Sequence, residues 1–436
     1  MKHKIKRFKL KRALNLWELS LYGVGVILGA GIYALIGVGA GIAGNAVWIS
    51  FIIAAIVAGF TGLSYAELAS MYPKEAAEYT YTKKAFNKRQ FSFIIGWLMI
   101  IAGIVSAVAV AFGFAGYFTH LWGGSVTVVA FILLLVLSFI SYLGIKESST
   151  FNIVATIIET SGLLIVIAIG AYVFFSKGIQ VNLLETPLGI GVPGIMSAVA
   201  IIFFAFLGFE DMVNLAEETK NPKKTVPRAL VLALGLSTLL YLLVSFSAVN
   251  TVGWEKLSSS SAPLTLTVSS VIPKADLLFS LIALFATANT ALILLVVSSR
   301  ILFGMARDHS FPAILSKIGS RGTPTAAVII SGAIALGLSL TSTIKTVAQV
   351  TDLSLFIIYA AVNLSLIVLR FKVPKAARGF KVPFNIGKFP VLPALGLATS
   401  LGMIFYFEKN VLLIGLAIIG SGILVYRIFS PNPQSA

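Results

Sequence analysis

The segment Val24-Gly-Val-Ile-Leu-Gly-Ala-Gly-Ile-Tyr33 lies at the centre of an apolar stretch that is long enough to cross a membrane. A second such stretch contains Phe203-Phe-Ala-Phe-Leu-Gly-Phe-Glu210 and runs directly into Asp211. A helix inside lipid must satisfy its backbone polar groups internally, so glycines and carboxylates in mid-span work against it. They are tolerated where unwound backbone lines a cavity, and two interrupted spans at matching places in two halves indicate a binding site.

The composition is typical of a membrane protein. Of 436 residues, 58% are hydrophobic and 11% are charged, and the mean hydropathy is +0.97. A soluble chain carries about 25% charged residues. Cys is absent, which excludes disulfides and thiolate metal sites. The apolar segment behind the basic residues 2–12 is too long for a cleavable signal peptide, so we expect it to remain as an anchor.

Hydropathy predicts an all-α integral membrane protein with twelve transmembrane helices. The predicted spans are 16–42, 46–70, 91–119, 124–144, 149–175, 193–217, 227–252, 276–304, 324–342, 345–370, 389–407 and 410–429. If the N-terminus is cytoplasmic, 28 of the 33 Lys and Arg residues lie on the inner side. The positive-inside rule expects this asymmetry, so we predict a multi-pass protein of the cell membrane with both termini in the cytoplasm.

The broken spans are the first and the sixth, which suggests two five-span halves of inverted orientation, each opening with a broken helix. Within one transporter domain we predict a cytoplasmic basic tail at 1–15, a first repeat at 16–175, a second repeat at 193–370 and two additional helices at 389–429. The repeat is inferred from the positions of the breaks, because the two halves share no evident sequence identity.

The first candidate site is Gly29-Ala30-Gly31. Two glycines around a small residue let the backbone leave helical geometry at little steric cost. The freed N–H groups then lie at the start of the next half-helix, where an anion such as a substrate carboxylate is favoured. The alternative is helix packing, in which Gly25 and Gly29 form a pair of small residues one turn apart.

The second candidate site is the break in the sixth span. The unwound carbonyls of Ala205, Phe206 and Leu207 are candidates to accept hydrogen bonds from a substrate ammonium, and Phe204 is a candidate lid. The alternative is that these phenylalanines face lipid. Glu210, at the end of the break, is a candidate for gating or a structural role, because a carboxylate near mid-membrane is expensive.

Glu159 lies midway through the fifth span, which has no nearby Lys or Arg to neutralise it. We interpret it as a proton carrier or an anionic ligand for a cation; the alternative is a permanently protonated carboxyl within the bundle. Thr287, Asn289 and Thr290 in the eighth span offer oxygen ligands, for Na⁺ for example, or serve as interhelical glue. Asp352 near the outer end of the tenth span suggests interfacial solvation more than gating.

Other classes of function find no support in the sequence. No nucleotide-binding motif or catalytic constellation is present, so we expect neither an ATP-driven pump nor an enzyme, and no cofactor. The three His residues are scattered, which argues against a metal site. The net charge of +17 resides in short loops, which is a topology signal rather than a sign of nucleic-acid binding. The expected partners are a small-molecule substrate and membrane lipid, without an obligate protein partner.

Five segments at the ends of the predicted spans or between them carry recognisable patterns. They are Glu67-Leu-Ala-Ser-Met-Tyr-Pro73, Glu78-Tyr-Thr-Tyr81, Ala216-Glu-Glu-Thr-Lys-Asn-Pro-Lys-Lys-Thr-Val-Pro-Arg-Ala229, Ser299-Arg-Ile-Leu-Phe-Gly-Met-Ala-Arg-Asp308 followed by Phe311-Pro312, and Arg378-Gly-Phe-Lys-Val-Pro383. In order and over nearly the whole chain, they resemble the motifs of the amino acid–polyamine–organocation (APC) permeases. The resemblance implies the five-plus-five inverted-repeat fold and secondary active transport of amino acids or related amines.

By motif position, the resemblance implies that Ile27, Ala30 and Gly31 contact substrate, that Phe204 is the gating aromatic and that Glu210 is the carboxylate closing the motif of the sixth helix. Two departures matter: Ala76-Ala77 replaces the family's Gly-Gly, and Glu159 stands where some members carry a lysine. Since the charge is reversed there, a lysine-based proton mechanism does not transfer.

The leading hypothesis is therefore amino acid symport, coupled to protons in preference to Na⁺. The alternatives are a polyamine or amine transporter, an amino acid exchanger, or a substrate sensor or channel. The small, uncharged walls near Ser106 and Ala107 favour neutral substrates, and the lack of an evident acidic ring favours a zwitterion over an amine.

Overall fold

The computed structural model of the chain describes residues 14–73, 77–143, 149–187, 190–217, 219–308, 310–319 and 323–429. Within these ranges the chain is almost entirely helical, which confirms the all-α fold class. The helices are α1 (Leu16–Leu28), α2 (Gly31–Ala43), α3 (Val47–Met71), α4 (Ala77–Phe86), α5 (Arg89–Trp122), α6 (Val126–Leu143), α7 (Ser149–Lys177), α8 (Gly191–Ile202), α9 (Asp211–Asn214), α10 (Pro222–Val252), α11 (Trp254–Ser259), α12 (Pro263–Ser269), α13 (Asp276–Arg307), α14 (Thr325–Thr341), α15 (Ile344–Lys372), α16 (Val391–Met403) and α17 (Lys409–Phe429). A short antiparallel hairpin pairs β1 (Asn385–Ile386) with β2 (Phe389–Pro390).

Helical segments occupy all twelve predicted span positions. The first span consists of α1 and α2, and the sixth consists of α8, a 3₁₀ turn at Phe203–Phe206 and α9. Among the described residues, nine helical stretches are long and apolar enough to cross a membrane, and three shorter apolar helices accompany them. The protein is thus a multi-pass membrane protein, while the twelve-span count, the inverted repeat and the repeat boundaries stay predictions. Most of the predicted basic tail (residues 1–13), together with Lys146 and Ala76, lies outside the described residues.

The segment between the seventh and eighth predicted spans is partly helical. It contains α11 and α12, which pack against the first span at α2. These helices have only six and seven residues, too few to show a helical period in the sequence.

The ends of α1 follow from local chemistry. The Asn15 side chain accepts hydrogen bonds from the N–H groups of Trp17 and Glu18, while the Glu18 carboxylate accepts from the Asn15 N–H, which completes a capping box. At its other end α1 stops at Gly29, and α2 begins two residues later at Gly31. The predicted break in the first span is therefore present.

Packing separates central from peripheral helices. Helix α5 packs most extensively along α13 and also along α15, and much of its surface is buried. Helices α6 and α17 instead expose large apolar side chains such as Phe139 and Leu413. An exposed apolar surface of this kind fits contact with lipid.

A buried ion network fastens the segment after α15 to the end of α3. The Glu67 carboxylate, fully buried, pairs with Arg370 and with Arg378, whose Nε lies 2.9 Å from Oε1. The Val382 N–H also donates to Glu67, at 2.8 Å. The Ser70 hydroxyl and the Phe380 backbone join the same ends of the two segments.

Candidate functional site

A cavity lies where the first and sixth spans are interrupted, bounded also by α5, α7 and α13. Its free space is about 960 Å³ when the open mouth is included. Its walls on α1 begin at Tyr22, and those on α13 extend to Ile301. The cavity therefore extends from mid-span toward the face of the molecule that carries Leu16, the start of α5 and the end of α13.

The opposite face is closed above the cavity. Tyr33 packs edge-on against Tyr117, with ring centroids 6.4 Å apart, and the Tyr117 hydroxyl donates to the Tyr33 carbonyl at 2.9 Å. The Tyr33 ring also contacts that of Phe279. Close packing of Ala34 against Gly113 adds to this closure. The cavity is accordingly accessible from one side of the protein.

The break in the first span supplies one wall, and four predicted residues line it, namely Ile27, Gly29, Ala30 and Gly31. Because α2 begins here, its first N–H groups have no acceptor within their own helix. Such groups, together with the helix dipole, make this end of α2 suited to an anionic group.

The glycines at this break have different neighbours. A Cβ at Gly31 would lie 2.5 Å from the Ala205 Cα, so Gly31 lets the two broken spans touch backbone to backbone. A Cβ at Gly29 would lie 3.0 Å from the Thr290 hydroxyl. At Gly25 it would overlap Thr156, which supports the packing interpretation for that glycine. A bulky substitution at Gly31 would therefore disturb the junction itself and not substrate alone.

The break in the sixth span supplies the facing wall. After the 3₁₀ turn the backbone extends at Leu207 and turns through Gly208, whose φ of +106° favours glycine. Phe204 and Leu207 line the cavity, but Ala205 and Phe206 are not part of its lining. The Ala205 carbonyl accepts a hydrogen bond from the Tyr241 hydroxyl at 2.6 Å, and the Phe206 ring packs edge-on against the Tyr241 ring. The expectation that these two residues present carbonyls to a substrate is therefore not supported by the geometry.

Tyr241 on α10 is a residue that sequence reasoning missed. Its buried hydroxyl lies within hydrogen-bond distance of both the Ala205 and the Ile27 carbonyl oxygens, one from each break. It thus fills acceptors that the interrupted helices leave open. A tyrosine in an apolar span carries no sequence signal that would single it out.

Asp352 on α15 corrects a second expectation. Its side chain is fully buried rather than solvated at an interface, and its Oδ2 accepts the Phe204 N–H at 3.0 Å. Asp352 therefore satisfies a backbone donor at the start of the sixth-span break. The sequence suggested solvation because Asp352 lies near the end of its span, and this interpretation is wrong.

Glu210 lies at the other end of the same break and lines the cavity. Its Oε2 accepts the Gly208 N–H at 3.1 Å, so the carboxylate stabilises the turn that leads into α9. The adjacent Phe209 ring packs against Tyr65 and Tyr359, with centroid distances of 5.7 and 5.4 Å. These contacts tie the sixth span to α3 and α15.

The loop helix α4, which lies outside the spans, adds a buried acid beside this cluster. Burial raises the pKa of Glu78 to about 7, and the nearby Asp211 contributes in the same direction. The Tyr81 ring, also on α4, packs edge-on against Tyr65 at 6.2 Å. Helix α4 is in this way attached to α3.

Glu159 on α7 lines the cavity and is only 2% exposed. The Asn289 side-chain amide donates to its Oε1 at 3.4 Å, and the Tyr33 hydroxyl donates to its backbone carbonyl at 2.7 Å. Among the described residues that line the cavity there is no Lys, Arg or His. The Glu159 carboxylate therefore faces the cavity without a cationic neighbour in its walls.

The three candidate residues of the eighth span do not all face the cavity. Asn289 and Thr290 line the cavity, whereas Thr287 does not. The Thr287 hydroxyl is buried and donates to the Ala283 carbonyl of its own helix at 2.7 Å. Within the described part of the chain, no group of three or more His, Asp or Glu residues is placed to hold a metal ion. The structure thus brings Glu159, Asn289 and Thr290 to one cavity and leaves Thr287 outside it.

Two interrupted apolar spans that meet at a one-sided cavity define the class of this protein as a membrane permease. Residues 14–436 match the sequence profile of the family described as amino acid permease, so the chain belongs to that family. The resemblance to the APC permeases is thereby confirmed.

Three relatives match most of this chain, and two of them match it over nearly their own full length. The branched-chain amino acid permease BcaP of Bacillus subtilis is 30% identical over 97% of this chain and 93% of its own length. The methylthioribose transporter of the same organism is 28% identical over 97% and 94%. The vacuolar cationic amino acid transporter 2 of Arabidopsis thaliana is 31% identical over 84% of this chain and 61% of its own length. The family and these relatives are transporters, so this chain is a transporter of small molecules.

Proposed function

We propose that this protein is a secondary active transporter that carries amino acids across the cell membrane by alternating access. The observation that carries the proposal is the meeting of the two broken spans at a cavity that is open at one end and closed by Tyr33 and Tyr117 at the other. A site at mid-span, reached from one face at a time, is what alternating access requires.

Substrate binding follows from the two breaks. The substrate carboxylate binds the first N–H groups of α2 at Gly29–Gly31, where backbone donors and the helix dipole favour negative charge. Ile27 and Leu207 form apolar walls, and Phe204 forms the lid over the bound molecule. Tyr241 and Asp352 keep the unwound backbone in place. Each forms a hydrogen bond with a backbone group that would otherwise be open to the substrate.

Coupling is assigned to Glu159. A buried carboxylate without a cationic neighbour is stable when it holds a proton or when a cation stands beside it. We favour protons over Na⁺, because Thr287 bonds its own helix outside the cavity and few charged oxygen ligands remain beside Glu159. Glu159 then changes its protonation as the cavity changes sides.

The orientation follows from charge. We propose that the termini are cytoplasmic and that the protein resides in the plasma membrane, since most Lys and Arg residues then lie inside. The cavity extends toward the face that carries Arg89 and Arg307, so the conformation described is inward-facing.

A specific observation supports a second candidate, the transport of amines without a carboxylate. Three carboxylates, those of Glu159, Glu210 and Asp211, belong to cavity-lining residues, whereas the sequence showed no evident acidic ring. The relatives named above include transporters for branched-chain amino acids and for cationic amino acids. They therefore support an amino acid as the substrate but do not indicate which side chain it carries.

Reconstitution tests the proposal. Purified protein in liposomes should take up or exchange labelled amino acids and respond to an imposed pH gradient but not to a Na⁺ gradient. Phe204→Ala should strongly reduce this uptake, whereas Phe405→Ala, which removes a phenylalanine that is 87% exposed at the periphery, should leave it unchanged. Flux of polyamines with no flux of any amino acid would reject the proposal in favour of the second candidate.

A further inference from the structure

We propose that the cavity takes a cationic amino acid, whose side-chain ammonium or guanidinium group pairs with Glu159 in exchange for a proton. The proposal rests on the proposed function and names its substrate class. It begins with the charges of the cavity walls, where the described lining residues include three acids and no base. A cationic ligand complements such walls, whereas an amino acid with a neutral side chain leaves their charge uncompensated.

The three acids are not equivalent. The Glu210 carboxylate accepts the Gly208 N–H and is part of the turn in the sixth span. Asp211 is the first residue of α9, in the same stretch. Glu159 belongs to an unbroken helix, and the hydrogen bond of its side chain within the described residues is the 3.4 Å contact from the neutral Asn289 amide. Glu159 is therefore the acid that is free to bind a ligand.

When the substrate carboxylate is bound at the start of α2, Glu159 is positioned to bind the cationic group at the other end of the substrate. Helix α7 follows the first span through its break, because Thr156 packs on Gly25 before the break and the Glu159 carbonyl accepts from Tyr33 after it. Thr156 and Glu159 both line the cavity, one turn apart. A substrate carboxylate at the start of α2 and a cationic group at Glu159 thus bind the two ends of one molecule across a shared cavity.

Charge pairing explains why a proton takes part. A buried carboxylate that lacks a positive partner is strongly disfavoured in the charged form, so the empty site holds Glu159 as the neutral acid. When the substrate cation enters, the O–H bond of the acid breaks, the proton leaves through the open mouth to water, and the carboxylate pairs with the cation. When the substrate leaves, Glu159 takes a proton back. Substrate and proton therefore compete, and net charge in the site is conserved.

Other titratable groups near Glu159 do not replace it in this exchange. Tyr22 on α1, Tyr33 on α2 and Tyr241 on α10 are phenols, which remain neutral between pH 5 and 8. From the sixth span, Glu210 and Asp211 reach the same cavity, where their carboxyl oxygens add acceptors for a cationic group. The eighth span contributes the neutral Asn289 and Thr290.

The test measures thermal stabilisation and proteoliposome exchange with L-arginine, L-lysine, L-leucine and cadaverine. In the wild-type protein we expect stabilisation by arginine and lysine, binding that strengthens as pH rises from 5 to 8, and one proton released per substrate bound. Glu159→Gln should weaken arginine binding by about 10–100-fold and abolish its pH dependence, since a charge-assisted hydrogen bond is lost. Glu159→Asp should retain part of the affinity, and Glu255→Gln on the exposed helix α11 should match the wild type.

Each remaining outcome has a definite meaning. If leucine but neither arginine nor lysine stabilises and exchanges, the proposed function stands and the cationic assignment is overturned. If arginine binds wild type and Glu159→Gln equally, with the same pH dependence, the role of Glu159 is overturned even though the substrate class holds. If cadaverine binds and no amino acid does, both the inference and the proposed function fail, because the carboxylate has no part in recognition. If the Glu159→Gln protein does not fold, Glu159→Asp is tested instead, and its affinity for arginine must be lower than that of the wild type.

Discussion

Glu67 and Glu159 are both acidic residues in the interior of this permease. Glu67 is 0% exposed and Glu159 is 2% exposed. Glu67, near the end of α3, is surrounded by Arg370, Arg378 and the Val382 N–H, which together account for its charge and its lone pairs. Glu159, in the middle of α7, faces a cavity, and from the described residues its carboxylate receives one long hydrogen bond, from an amide. The carboxylate of Glu67 is thus fully paired by the protein, whereas that of Glu159 is not.

The difference separates structural from functional acids. A buried charge whose partners all come from the protein has no reason to change state during a transport cycle, and removing it leaves those partners unpaired. A buried acid that lacks a partner must obtain one from outside, as a proton or as a ligand. Burial alone does not distinguish these roles, whereas the surroundings of each carboxylate do.

The largest effect should follow the loss of Glu67. Glu67→Ala leaves two arginines largely buried without their anion, and we expect it to lower the free energy of unfolding by about 3–5 kcal/mol. Chemical or thermal unfolding in detergent measures the change. The control is Glu408→Gln, which breaks an exposed pair with Lys345 and should cost at most about 1 kcal/mol. Equal effects of the two variants would show that the Glu67 network contributes no more than a surface pair.

Glu78 on α4 lies between the two extremes, because it is buried beside tyrosines and no cation is placed against it within the described part of the chain. With a pKa of about 7 in the folded protein and 4.5 in the unfolded chain, the folded state holds its proton more tightly. Its stabilising contribution is therefore complete below pH 4.5, is lost as the pH rises through about 7, and amounts to about 3 kcal/mol. Unfolding curves at pH 5 and pH 8 should show this loss in the wild type but not in Glu78→Gln. An identical pH dependence in both proteins would mean that Glu78 does not carry it.

Tyr241 tests the scaffold around Glu159. Tyr241→Phe removes the hydroxyl that serves the Ile27 and Ala205 carbonyls, and we expect a loss of about 1–2 kcal/mol in unfolding free energy. Because the two breaks are then joined less tightly, substrate affinity should fall as well, which ligand-induced thermal shifts detect. Tyr406→Phe, on a half-exposed residue near α16, is the matched control and should change neither quantity. Unchanged substrate affinity in Tyr241→Phe would show that the hydrogen bonds of the Tyr241 hydroxyl are not needed for substrate binding.

Local sequence chemistry predicted the two breaks and the positions of the apolar helices. Helix α1 stops at Gly29, where mid-span glycines suggested a break, and Gly208 lies in the turn of the sixth-span break. The second predicted span, 46–70, corresponds to α3 at Val47–Met71. The acidic residue in the fifth span stood out because charge is rare in apolar helices. These features depend on neighbouring residues in the chain, which the sequence shows directly.

The remainder depended on contacts between distant parts of the chain. Tyr241 bonds a residue 214 positions away, and Asp352 bonds one 148 positions away. Which carbonyls remain free at the sixth-span break, and whether Thr287 faces the cavity, depends on the rotation and packing of helices, not on their composition. The role of Gly31 was open for the same reason, since its neighbour Ala205 lies on another span.

The central claim is that Glu159 carries the coupling between substrate and ion, and the most direct measurement compares wild type with Glu159→Gln in liposomes under an imposed pH gradient. We expect Glu159→Gln to fold and to exchange residual substrate, because glutamine mimics the protonated acid and retains the contact with Asn289. It should nevertheless fail to accumulate substrate against a concentration gradient at any imposed pH difference. Accumulation by Glu159→Gln with the gradient dependence of the wild type would contradict the account and would assign Glu159, like Glu67, to the structure.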